Sequence, residues 1–118
     1  MNTTDADGTI INLTRITVPP GNRKELCQTI MSLIDRVKRE KGCLAYRFYE
    51  EAEDENTFVL IGEWKTQDAW NRYLNSDTFA VLLGSIKLLC DRSHVDYKLL
   101  SHAAGVEAIT RARMECHT

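Results

Sequence analysis

The segment from Phe58 to Trp64, FVLIGEW, constrains the fold most. Its β-branched and aromatic residues read as a strand. An antiparallel strand with one face in water alternates between apolar and polar residues, but the centre of this one is apolar on both faces. It therefore needs cover on two sides, and a small domain supplies helices on only one.

The rest of the chain shows where that cover lies. The run Thr9 to Val18 is rich in β-branched residues and reads as a first strand. Leu13 and Ile16 break its alternation, so a bulge is allowed for there. Pro19-Pro20 ends it, because proline cannot donate to a ladder. Leu26, Ile30, Leu33, Ile34 and Val37 form one face of a helix spanning Arg23 to Lys41, with Gly42 as its C-terminal cap. Leu44, Tyr46 and Phe48 alternate with Ala45, Arg47 and Tyr49 in a second strand. Glu50 to Asn56 reads as a polar turn before the third strand. Thr66 is placed to cap a short helix through Leu74, and Ser76 or Asp77 to cap another from Thr78 to Leu89. Val95, Tyr97 and Leu99 mark a fourth strand. Val106 to Met114 reads as a weak C-terminal helix.

The order β-α-β-β-α-β is ferredoxin-like, an α+β sandwich. Its uncovered sheet face is most economically closed by a second copy, since two-fold homodimers are the commonest oligomers. Residues 1–8 read as a flexible leader, and 9–118 as one domain with a helical tail. At 118 residues, the length fits one domain.

Bulk properties narrow the function classes. Net charge is −2, which argues against nucleic acid and a polybasic membrane anchor. The Phe79–Cys90 apolar stretch is too short and interrupted to span a bilayer. Cys27, Cys43, Cys90 and Cys116 match no zinc or disulfide spacing. Free thiols and a polar start without signal-peptide character point to the cytoplasm.

Three segments carry a family resemblance: Gly42-Cys43-Leu44-x-Tyr46, Glu63-Trp64-x-x-x-x-Ala69 and Leu74-Asn75-Ser76-Asp77-x-Phe79. Together they resemble the antibiotic biosynthesis monooxygenase (ABM) family of dimeric α/β barrels, over about Thr9 to Leu99. The resemblance implies two sheets packed face to face in a homodimer, with a pocket between sheet and helices in each protomer. Family members include oxygenases that act on aromatic polyketides and quinols without metal or flavin. Others degrade heme, isomerise small sugars or have no known activity.

The sequence departs from the pattern at specific positions. A frequent histidine nine residues after the tryptophan is Tyr73 here, and a second is Thr78. The iron-binding histidine of the heme-degrading branch falls at Leu83. That branch's first-strand asparagine has only Asn12 nearby, so heme degradation is disfavoured.

Cofactor-free oxidation needs a phenol or quinol to lose a proton, hydrogen bonds to the oxyanion and a dry aromatic slot. Tyr73 is a poor base at its reference pKa near 10, but can donate a hydrogen bond. Tyr73 and Trp64 are the catalytic candidates; for Trp64 the alternative is core packing. Tyr46, Phe48, Leu60, Gly62, Phe79 and Leu83 are the substrate-binding candidates, with Gly62 leaving room for a close ligand. His94, His102 and His117 read as surface residues. Arg15 and Arg47 are expected to pair with Glu63 across a dimer interface. The expected function is a cofactor-independent monooxygenase on an aromatic or quinol-like small molecule, with no metal. The alternative is a non-catalytic binding or sensing domain on the same scaffold.

Overall fold

The computed structural model describes residues 8–101. Strand β1 (Ile10–Thr17) leads through a 3-10 turn (Pro20–Asn22) to helix α1 (Arg23–Lys38). Strands β2 (Cys43–Glu51) and β3 (Asp54–Trp64) follow, then helices α2 (Gln67–Leu74) and α3 (Asp77–Leu89). A second 3-10 turn (Arg92–His94) enters strand β4 (Val95–Ser101). The antiparallel sheet has the order β2-β3-β1-β4, the ferredoxin-like arrangement. No helix among the described residues is long and apolar enough to cross a membrane.

The helices cover one sheet face. On that side lie Phe58, Leu60, Gly62 and Trp64 of β3 with Ile10, Thr14 and Ile16 of β1, all buried. Leu26, Ile30, Leu33 and Val37 of α1 bury against them because three- and four-residue steps return to one helical face. Val59 and Ile61 point the other way and are half-buried within the protomer. Together with Ile11, Leu13 and Leu100 they leave an apolar stripe on the open face.

Several expectations change. The β1 ladder pairs one-to-one with β3 and has no bulge. Leu13 simply faces the open side and Ile16 the core, since both faces accept apolar residues. The register shifts instead on β2, at Cys43/Ala45 and Glu50/Glu51. The acidic turn shrinks to Ala52-Glu53, because the strands extend to Glu51 and from Asp54. The Asp54 carboxylate steadies that corner, accepting from the Asn56 N–H at 3.0 Å and the Thr57 hydroxyl at 2.7 Å.

Helix α1 stops at Lys38 rather than Lys41. Gly42 therefore serves the strand entry, with a left-handed φ of 86° that favours glycine. Ser76, not Asp77, caps α3: its Oγ accepts from the Phe79 N–H at 3.1 Å and donates to the Tyr73 carbonyl at 2.7 Å. Thr66 caps α2 as expected, accepting from the Ala69 N–H at 3.1 Å. Arg15 pairs with Glu51 within the protomer at 2.7 Å, not with Glu63. Arg47 does reach Glu63, but in the same chain at 3.7 Å. The predicted C-terminal helix, His102, Cys116 and His117 lie outside the described residues.

Candidate functional site

An apolar groove runs between α3 and the helix-facing side of β4. Its narrower part encloses about 320 Å³ and is walled by Asn12, Trp70, Leu74, Phe79, Leu83 and Leu99. Tyr97 and Leu83 also border a wider cleft of about 720 Å³ that continues toward Lys87, Cys90 and Arg92. The groove forms at β4, an edge strand of the described sheet, where Tyr97 and Leu99 remain half exposed among the described residues.

Behind the groove stands a cluster of four aromatic rings. Trp64 stacks on Tyr73 with centroids 4.5 Å apart and planes 21° apart. Trp70 lies 6.2 Å from Trp64 and 6.1 Å from Tyr73, and Phe79 meets Tyr73 edge-on at 5.2 Å. Offset and edge-on contacts of this kind add to the area the rings bury. Trp70 and Phe79 thus face the groove, while Trp64 and Tyr73 brace them from the core.

The structure divides the expected site residues. Phe79 and Leu83 line the groove. Trp64 and Tyr73 are fully enclosed, and Trp64 Nε1 and Tyr73 Oη are buried without a well-aligned hydrogen-bond partner among the described residues. Tyr46 and Leu60 are core residues. Phe48 tilts against Phe58 at 5.0 Å, on β2, away from β4. The space beside Gly62 is taken by neighbouring rings: a Cβ there would meet Trp64 Nε1 at 3.0 Å and the Tyr46 ring at 3.2 Å.

Asn12, Trp70, Tyr97 and Leu99 are wall residues that the sequence reading did not select. Trp70 sits three residues before Tyr73, so helical spacing puts both on one face. Asn12 shares the helix-facing row of β1 with Ile10 and Thr14. Its Nδ2 donates to the Lys98 carbonyl and its Oδ1 accepts from the Thr14 hydroxyl, both at 3.4 Å. A polar side chain on the core side of a strand was the available signal.

Protonation follows burial. Burial pushes the Tyr46 phenol up to about 12. Tyr73 is pushed up as well, by burial first and then by the neighbouring Tyr46 phenol. Desolvation also raises Tyr97 and the Cys90 thiol. These groups hold their protons near neutral pH and can donate hydrogen bonds. Among the described residues no three His, Cys, Asp or Glu side chains converge on a metal-sized site. Leu83, at the position of the heme-degrading branch's iron ligand, offers only an apolar surface, so the described groove does not fit heme held in that way.

The chain is similar over 74 residues, at 27% identity, to the uncharacterized protein sll1783 of Synechocystis sp., covering 63% of this chain and 50% of that protein. It is 35% identical over 54 residues to "Putative monooxygenase YcnE" of Bacillus subtilis, covering 46% and 57%. The chain thus spans about half the length of the curated relatives it matches. A conserved protein from Methanosarcina mazei Go1 shares the fold with a TM-score of 0.76 at 21% identity, over 83% of this chain and 96% of that one. The antibiotic biosynthesis monooxygenase family matches residues 9–82, from the first strand into α3. The chain belongs to the antibiotic biosynthesis monooxygenase family.

Proposed function

We propose that this protein is a monooxygenase that oxidises an aromatic or quinol-like small molecule in the groove between α3 and β4. The observation that carries the reading is the groove itself, a largely apolar slot with Trp70 and Phe79 in its wall and Asn12, Tyr97 and Lys98 as its polar residues. Flat aromatic rings are stabilised by such walls, and few polar groups suffice to orient them.

In this proposal the oxidation needs neither metal nor flavin. The substrate anion passes an electron to dioxygen and the pair recombines at a ring carbon. Loss of water then leaves a carbonyl, so one oxygen atom enters the product and the other leaves as water. The four electrons come from the substrate. Tyr73, Tyr97 and Cys90 hold their protons, so none is the base near pH 7. The substrate's own acidity supplies the anion, and Asn12 and Tyr97 provide hydrogen bonds to its oxygen. Trp64 and Tyr73 act through Trp70 and Phe79, holding the ring wall in place.

We further propose a homodimer closed through the open sheet face, supported by the apolar stripe of Ile11, Leu13, Val59, Ile61 and Leu100. Free thiols at Cys27, Cys43 and Cys90 support a cytoplasmic setting.

Oxygen uptake with phenols, naphthols and quinols in chelator-treated buffer tests the oxygenase reading. Turnover that is lost in Leu83→Trp, which fills the groove, is the expected result. The lack of a neutral-pH base among the described groove residues favours a second reading, a binding domain. A ligand-induced rise in melting temperature with no oxygen uptake by any member of the panel identifies that case.

A further inference from the structure

The groove changes chemistry along its length. On α3, Phe79, Leu83 and Lys87 recur every four residues, so they form one row with steps of about 6 Å. On β4, Leu99, Tyr97 and Val95 recur every second residue on the opposing wall, with steps of about 7 Å. The two rows run side by side. At one end they present Phe79 and Leu99 beside Trp70 and Leu74. Two turns farther along α3, past Leu83 and Tyr97, the lining includes Lys87 and Arg92.

Among the described residues, no carboxylate lines either part of the groove. Lys87 and Arg92 form no ion pair among the described residues, whereas Lys98, at the apolar end, is engaged with Asp96 at 3.7 Å. Cys90, between the two cations in sequence, holds its proton and adds no opposing charge. Two cations thus stand without described partners at one end of an apolar slot, about one helical turn beyond its ring-binding part.

We propose that the substrate is an aromatic acid: its ring lies between Trp70, Phe79, Leu83 and Leu99, and a carboxylate on that ring is held by Lys87 and Arg92. This assignment rests on the groove being the ligand site. It adds charge selectivity to it. Guanidinium and ammonium groups recognise carboxylates through charge-assisted hydrogen bonds. The apolar end alone does not discriminate a charged ring from a neutral one in favour of the charged one.

The test compares 2-naphthol with 6-hydroxy-2-naphthoate, which share one ring system and differ by a carboxylate that is ionised at pH 7. Calorimetric titration of the full chain is run at low salt and again at 1 M salt, where screening is about 3 Å. The naphthoate is expected to bind about two- to fivefold more tightly than the naphthol at low salt, the range of exposed ion pairs, and the advantage shrinks at high salt. Lys87→Gln with Arg92→Gln removes the advantage, and Lys87→Glu with Arg92→Glu reverses it. Both residues are exposed, so these variants retain the wild-type melting temperature. Equal affinities in the wild type, or a preference that persists in the double Gln variant, overturn the anion site and leave the apolar groove standing. Failure of both probes to bind, or binding undiminished by Leu83→Trp, overturns the groove reading and the anion site with it.

Discussion

The Trp64 indole is stacked on the Tyr73 phenol at 4.5 Å, and each ring carries a buried polar group with no well-aligned hydrogen-bond partner among the described residues. A buried donor left unpaired costs about 1–3 kcal/mol. Tyr73→Phe keeps the stack and removes one such group. It is expected to stabilise the fold by about 1 kcal/mol, raising the melting temperature by a few degrees. A clear loss of stability on thermal unfolding contradicts the orphaned hydroxyl and points to the neighbouring Tyr46 phenol as its hydrogen-bond partner.

Gly42 and Ala69 are a second tight pair, and they explain two residues of the family-like motifs. A Cβ on Gly42 would stand 2.3 Å from the Ala69 Cβ, on a backbone already at φ 86°. Gly42→Ala combines a left-handed penalty of about 1–2 kcal/mol with overpacking of about 1–3. A total loss of roughly 2–5 kcal/mol is expected by chemical denaturation. In a double-mutant cycle, Ala69→Gly recovers the steric part only, giving a coupling of at least about 1 kcal/mol.

The buried phenols make alkaline stability directional. The Tyr46 pKa is raised in the folded state from 10.0 to about 12, so its neutral form is retained there while the unfolded chain ionises. Its contribution is complete below pH 10 and is lost as pH rises through 10 to 12. The expected decline from Tyr46 alone is roughly 3 kcal/mol, at 1.36 kcal/mol per pKa unit. Denaturation curves across that window check it; a flat stability profile rules out the buried neutral phenol.

Ile61 lies at the centre of the open sheet face, directly across from Leu13. Its replacement by Arg is expected to shift the protein from dimer to monomer in light scattering, with the helix-side core untouched. A monomeric wild type contradicts the proposed face-to-face assembly.

Much of this architecture was readable in the residues. The two apolar faces of β3, the α1 stripe and the Thr66 cap each have a local cause that recurs in the structure. The β2–β3 hairpin was harder, because acidic side chains on long strands resemble a loop until the pairing is known. The site was less legible still. Trp64 and Tyr73 attract notice by type, yet both lie one layer behind the groove. Trp70, Asn12 and Tyr97 line it because α2, β1 and β4 meet there, and that convergence is set by the topology of the sheet. The Lys87–Arg92 end depends in the same way on α3 and the turn after it coming back along β4.

Oxygen-18 labelling tests the oxygenase proposal most directly. Under labelled dioxygen in chelator-treated buffer, a turned-over naphthol such as 1-naphthol is expected to give a quinone carrying one labelled oxygen atom. The second labelled atom should appear in water, and Leu83→Trp should abolish both signals. An unlabelled product, or no product above the Leu83→Trp background across the panel, contradicts monooxygenation in this groove.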